Sequence, residues 1–365
     1  AALAAAIAMM IGLTVMIFSF RRSLEAWINH GIVADLFIAP ASNDVLGIAA
    51  DVPPAAIDWL RARPEVESVD TFREQEVRVQ GLDGKSESAL LAVLRGRYRD
   101  NLQFVGAARD SQVSQVFAGE GVAVTESFAR RHRARDGDEI TLRTPRGLLT
   151  VRVFGTYLDY SRDQGVIMMH RDLFDRHWPE AGVHSLAVFL EDAAHAAPLA
   201  DAFREHFAGK GEFAIYSNRT LRDRILSIFD QAFAVTEVLR TVAIIVAIAG
   251  IFLSVTTLVT ERQREIGMLR AIGASRGQVR ALFMAEAAMI GLLSSALGLG
   301  AGCLLAMVLT WVVNPAFFGW TIQLQFPAAA LAATPLWIVP VTLIAAAYPA
   351  HRAAGAPIAE AIREE

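Results

Sequence analysis

Several groups of residues in this sequence have types and spacings that could do chemistry. Gly84-Lys85-Ser86 has the ending of a phosphate-binding loop, in which backbone N–H groups and a lysine cradle a nucleotide. The full pattern needs a glycine five positions before Gly84, and Val79 stands there. The flanking runs are strand-like on both sides, so Gly81-Leu82-Asp83-Gly84 reads as a hairpin turn, and the chain carries no ATP site of its own. Gly273-Ala274-Ser275-Arg276-Gly277 matches the nucleophile elbow of hydrolases. That chemistry needs a strand before the serine and triad partners beyond it, whereas a short basic helix precedes Ser275 and an apolar run follows. His170, His177 and His184 recur every seven residues, and Asp136, Asp138 and Glu139 cluster. Neither group has metal-ligand spacing on a defined element, and both read as solvated loop residues, as does the arginine group from Arg130 to Arg135. No catalytic constellation remains, and no metal site is expected.

Chemistry of another kind is written in residues 261–274. Ile266, Leu269 and Ile272 form a short apolar stripe, charged residues occupy the other face, and Gly273 is placed to end the helix. A short amphipathic helix of this kind can lie in a headgroup interface or dock in a groove of a partner.

The elements that would position such a helix are apolar. The chain has 365 residues, 54% of them hydrophobic and 20% charged, and four stretches reach the ~20 apolar residues a bilayer requires. They fall at residues 1–20, 232–260, 281–313 and 328–350. The loop at 261–280 holds Arg262, Arg264, Arg270, Arg276 and Arg280 against Glu261 and Glu265, while residues 314–327 contain no Lys or Arg. By the positive-inside rule the arginine loop is cytoplasmic, together with the tail bearing His351, Arg352 and Arg363. The segment between the first two apolar stretches is then extracytoplasmic, which argues against nucleic acid as a partner. Cys303, the single cysteine, lies in the third stretch, so the outer segment must be held by packing rather than disulfides. Ala1 opens the sequence without a basic region before the apolar run, which reads as a piece of a longer chain rather than a signal peptide.

Strand-like runs in the outer segment fall at 34–39, 76–80, 89–94, 122–125, 139–143, 149–153, 184–190 and 212–216, with helical patterns at 54–63, 127–132 and 197–207. This predicts a mixed α+β domain in two lobes. The first apolar helix continues past Arg21 and Arg22 to Gly31. Thr220-Leu221-Arg222-Asp223 has the form of a capping box, and the helix it opens runs to residue 260 without a Gly or Pro until Gly250, as a stalk ~60 Å long. Ser294, Gly298 and Gly302 recur every four residues, a spacing that lets membrane helices approach closely. Glu286, near the start of that helix, is expected to snorkel or to pair with a loop arginine.

The run Glu261-Arg262-Gln263-Arg264-Glu265-Ile266-Gly267-Met268-Leu269-Arg270-Ala271-Ile272-Gly273-Ala274 resembles the signature loop of the FtsX-like permease family, which includes MacB-like and LolC/LolE-like ABC transporter subunits. Tyr348-Pro349-Ala350-His351-Arg352-Ala353-Ala354 and Pro357-Ile358-Ala359-Glu360-Ala361-Ile362-Arg363 resemble that family's tail. The resemblance implies an integral membrane fold of four transmembrane α-helices, with an α+β extracytoplasmic domain like the MacB periplasmic core inserted between helices 1 and 2. The boundaries would be 1–31 for helix 1 and stalk, 32–218 for the domain and 219–260 for stalk and helix 2. The coupling loop would take 261–280, helices 3 and 4 would take 281–350, and the tail 351–365. It further implies a coupling helix whose Glu261, Arg262, Arg264, Glu265, Gly267, Leu269, Arg270, Ala271, Gly273 and Ala274 meet a separate ABC ATPase, which holds the ATP and Mg; this chain would hold no cofactor and be no enzyme. The implied setting is the bacterial inner membrane, with membrane lipids, a second permease half or copy, and a periplasmic adaptor or lipoprotein as partners. Work done on the outer domain would export or extract a lipid, lipoprotein, peptide or amphiphilic compound; the alternative is mechanotransmission that activates an envelope enzyme or signalling partner. The chain resembles the second half of a long permease with two four-helix halves.

Overall fold

The computed structural model describes residues 2–45, 50–80, 86–97, 101–105, 110–162, 164–179 and 181–355. The expected turn at 81–84 and the tail from Pro357 to Arg363 lie outside these residues. The chain forms two compact units, one of residues 1–22, 230–313 and 322–365 and the other of residues 23–229 and 314–321. Helices α1 (Ala2–Gly31) and α8 (Asn218–Glu261) contribute to both.

The larger unit is built around strands β1 (Leu36–Pro40), β2 (Val66–Gln80), β3 (Ser86–Arg95), β4 (Val122–Thr125), β5 (Glu139–Thr144), β6 (Gly147–Tyr157), β7 (Val166–His170), β8 (Ser185–Leu190) and β9 (Phe213–Ser217). Their order is β3-β7-β4-β6-β5-β2-β8-β1-β9, with β3 also paired to β2. Six strands therefore close on themselves through β2 and β3, and β2 continues into an antiparallel sheet with β8, β1 and β9. This is the two-lobed arrangement, and a single 15-residue strand is shared by both lobes. Closure removes exposed edges and fills the ring with Val77, Leu91, Val124, Leu142, Val153 and Ile167, each 4% exposed or less. Residues of β4 are buried throughout, as are the first four of β7, so those strands carry continuous apolar runs instead of alternation.

Short helices cover these sheets: α2 (Ala41–Val45), α3 (Pro54–Arg61), α4 (Asp110–Phe117), α5 (Glu126–His132), α6 (Arg171–His177) and α7 (Ala196–His206). The second lobe's core joins Leu36, Ile38, Leu60, Val188 and Phe203. Strand β7 and helices α4 and α6 were not expected from the sequence. The start of α8 corrects the expected cap: Ser217, not Thr220, accepts the Thr220 N–H (3.2 Å), and the helix opens at Asn218. Two of the histidines are also corrected. His184 is buried and its Nδ1 accepts the Glu74 N–H (3.2 Å). His170 caps α6 by accepting the Asp172 N–H. Burial holds both imidazoles below their usual pKa, aided at His184 by the Arg73 charge and opposed at His170 by Asp172.

Helix α8 runs unbroken for 44 residues from Asn218 to Glu261, with its part from Asp230 onward in the smaller unit. It is followed by α9 (Gln263–Ala271), α10 (Arg276–Val308), a π-helical turn at Leu309–Val313, and α12 (Ala328–Gly355); α11 (Asn314–Phe318) belongs to the larger unit. Among the described residues three helices are long and apolar enough to cross a membrane: Leu3–Gly31, Arg276–Phe318 and Ala328–Arg352. On α1, Leu3, Ile7, Ile11 and Val15 repeat every fourth residue and are buried with Ala287, Ala306 and Ala346, the stripe that an α-helix places on one face.

Candidate docking helix

Glu261 closes α8, and the chain turns at Arg262 (φ −104°, ψ 16°) to start α9. Glu265 lies in the first turn of α9 and Arg270 in its last, signs that complement the helix dipole. The expected apolar stripe is divided between two environments. Ile266 is 3% exposed and packs with Val279 and Phe283 of α10 and Ala350 and Ala354 of α12, next to half-buried Ala274. Leu269 is 38% exposed and Ile272 83%, and Met268 is exposed beside them. One apolar side chain thus anchors α9 to the ends of two long helices, and the others are presented outward. Covering Ile272 would yield about 1.5–3 kcal/mol from burial, so this surface suits a partner groove.

Glu261, Arg262, Glu265 and Ala271 are exposed and Arg270 is half-buried; the surroundings of Arg264 and Gly267 are not among those described. The Arg262 guanidinium stands 3.5 Å from Glu286 of α10. Both side chains are partly solvated, so this pair contributes at most about 1 kcal/mol.

Gly273 adopts φ +107°, which a residue with a Cβ rarely accepts. The Gly273 N–H donates to the Arg270 carbonyl (3.2 Å) and the Ala274 N–H to that of Leu269 (3.0 Å), completing the helix end. Ser275, the centre of the nucleophile-like pattern, caps α10: its hydroxyl accepts the Gln278 N–H, and the Gln278 side chain accepts the Ser275 N–H (2.8 Å). A capping box explains the serine fully.

Ser294, Gly298 and Gly302 lie on the buried face of α10. A Cβ on Gly298 would stand 2.6 Å from the Ile7 Cβ, and one on Gly302 2.6 Å from the Ile11 Cβ. The backbones of α1 and α10 meet at these two glycines.

Sequence reasoning gave no role to residues 314–321, which are fastened to the larger unit. The Glu126 carboxylate, at the start of α5, accepts the Thr321 N–H (2.7 Å) and hydroxyl and the Arg130 guanidinium (2.8 Å). The Tyr160 hydroxyl donates to the Thr321 carbonyl (3.0 Å), and Tyr160 packs edge-on against Trp320. Burial, then the Glu126 charge, pushes the Tyr160 phenol up to about 12. Gly319, at φ +79°, passes so close to Ser127 that a Cβ would come within 2.9 Å of its Cα. The only legible signal was Glu126 four residues before Arg130, which an ordinary helix pair also gives. Among the described residues no cluster of His, Cys, Asp or Glu could hold a metal.

Residues 238–358, which span more than half of α8 and all of α9, α10, α11 and α12, match the model of the FtsX-like permease C-terminal region. The chain is therefore a membrane protein of the permease class. Its matched region carries the features of the FtsX-like permease family. It is 31% identical to an uncharacterized ABC transporter permease protein of Mycobacterium tuberculosis, over 100% of this chain and 43% of that one. It is 27% identical to the macrolide export ATP-binding/permease protein MacB of Bdellovibrio bacteriovorus, over 55% of this chain and 30% of the relative. To the lipoprotein-releasing system transmembrane protein LolC of Haemophilus influenzae it is 31% identical, over 35% and 33%. The chain spans less than half the length of these relatives. The periplasmic region of MacB from Actinobacillus actinomycetemcomitans aligns at a TM-score of 0.42 and 16% identity, over 54% of this chain and 95% of that structure.

Proposed function

We propose that the chain is the permease part of an ABC transporter and that α9 docks on a separate ATPase. The observation that carries this reading is the divided stripe of α9: Ile266 fixes the helix to α10 and α12, while Leu269 and Ile272 stand exposed among charges. A groove on the partner would take the apolar side chains, and Glu261, Arg262, Arg264, Glu265 and Arg270 would set the orientation by charge. ATP and Mg would be held by that partner.

On this reading the arginine loop is cytoplasmic, the larger unit is extracytoplasmic, and α8 supplies the fourth membrane crossing. At 1.5 Å per residue α8 is ~66 Å long, about twice a bilayer core. A displacement of α9 on ATP-driven closure of the partner would therefore reach β9 through one continuous helix. The mechanical work would be export or extraction of an amphiphilic compound, peptide, lipid or lipoprotein, with a second permease half completing the membrane part.

The test uses the full chain expressed with its ATPase. Ile272→Asp, away from the buried Ile266 contact, and the charge reversal Arg264→Glu should abolish co-purification and stimulation of ATP turnover while leaving the thermal midpoint unchanged. Unchanged co-purification together with unchanged stimulation refutes docking through α9. If docking holds, vesicle export assays separate transport from mechanotransmission, since only transport moves solute.

A further inference from the structure

The larger unit contains a cleft of about 320 Å³ that α9 and the membrane helices do not explain. It lies where the two lobes share β2, with walls from the end of α1, from β1, β2, β3, β7 and β8, and from the strand end after β6. The size falls in the range of small-molecule sites. Four aromatic side chains, Trp27, Phe37, Phe72 and Tyr157, line it together with apolar residues such as Leu102.

The charges of the lining are unequal. Three carboxylates, Asp70, Glu74 and Asp159, share the cleft with one cation, Arg95. Arg95 is committed to Asp172, and Glu74 is paired with Arg162 at 3.2 Å. Asp70 accepts the Arg97 N–H (2.7 Å). Asp159 accepts from the Ser161 N–H (2.8 Å) and is also hydrogen-bonded by the Ser161 side chain. Its carboxyl is raised above the usual range because burial disfavours the charge, against the smaller opposing effects of Ser161 and Arg162. A carboxylate in an aromatic cleft is a poor arrangement for stability and a good one for a cation, which the ring faces attract as well.

We propose that this cleft binds a hydrophobic organic cation, with Asp159 as its counter-ion and Trp27 and Phe72 among the rings that enclose it. The ligand is a small amphiphile rather than a metal ion, because the walls are aromatic and the cleft is far larger than a coordination sphere. Binding here requires no ATPase, so the proposal stands or falls apart from docking through α9.

The full chain in phosphatidylcholine nanodiscs is tested by equilibrium dialysis against tetraphenylphosphonium and against tetraphenylborate, an anion of the same shape, with empty nanodiscs subtracted. The expected result is one saturable phosphonium site per chain and none for the borate. Asp159→Asn, which keeps the Ser161 hydrogen bond, should weaken phosphonium binding at least about tenfold. Leu102→Trp, which fills the cleft from a half-buried position, should abolish it. Absence of saturable phosphonium binding, or borate binding of equal strength, overturns the proposal, as does full affinity in a folded Asp159→Asn protein. If Asp159→Asn does not fold, Leu102→Trp decides, and unchanged binding in it overturns the site.

Discussion

Residues 314–321 should come loose from the larger unit when Glu126 is truncated to alanine. Glu126 is 8% exposed, and its carboxylate accepts from the Thr321 N–H, the Thr321 hydroxyl and Arg130. A hydrogen bond to a charged group contributes about 1.5–3 kcal/mol. Two of the bonds reach Thr321, and water can replace part of one, so Glu126→Ala should cost the attachment about 3 kcal/mol. The remaining contacts, Arg130 to the Thr321 hydroxyl (3.0 Å), Tyr160 to the Thr321 carbonyl and the Tyr160–Trp320 rings, keep the segment from leaving altogether. Hydrogen exchange of full-length protein in nanodiscs reads the change directly. The Thr321 amide should exchange about a hundredfold faster, since 3 kcal/mol is roughly two decades, while amides of the closed ring on β4 and β7 should be unaffected. Glu126→Gln, which keeps an acceptor but loses the charge, should give a smaller acceleration. An unchanged Thr321 rate in Glu126→Ala would refute the reasoning, because it would mean that the segment is held without the Glu126 carboxylate.

Gly298→Leu and Gly302→Leu should each lower the thermal midpoint, because the first added carbon already stands 2.6 Å from Ile7 or Ile11; overpacking of this kind costs about 1–3 kcal/mol. Gly300→Ala is the control, since nothing lies within 4 Å of its added Cβ, and it should be neutral or stabilising. The chain should lose stability as pH falls below about 6.5, the ordinary histidine value. His170 and His184 have lowered pKa values in the fold, so the unfolded chain takes up protons first, and the stability present above 6.5 declines toward the folded values. Thermal midpoints between pH 7.5 and 5 should show this, with a flatter profile in a variant lacking both histidines. The carboxyls of Glu67 and Asp172, held low by Arg97 and Arg95, act only below about pH 4.5, outside that window.

The sequence by itself determined much of this protein through local rules. Gly31 ended α1, Gly273 ended α9, and the apolar lengths marked three helices long enough to cross a bilayer, because these follow from backbone conformation and bilayer thickness. Strand β4 was legible at its full extent from Val122 to Thr125, since valine and threonine favour a buried strand on either face. Strand β7 was not: Met168 and Met169 carry no strand preference, and they are extended because β3 and β4 pair with them on both sides. Ser217 displaced Thr220 as the cap of α8 because β9 ends at Ser217 and sets where the helix starts. In the docking helix the apolar spacing was readable, but not which residue would be anchored and which exposed. That division was decided by Val279, Phe283, Ala350 and Ala354, all of them more than ten residues from Ile266 in the chain. The same holds for Glu126 and Thr321, 195 residues apart, and for the cleft around Asp159, whose walls come from eight places along the chain. Periodicity reports a residue's near neighbours; only the tertiary structure brings distant charges and rings together and sets their desolvation.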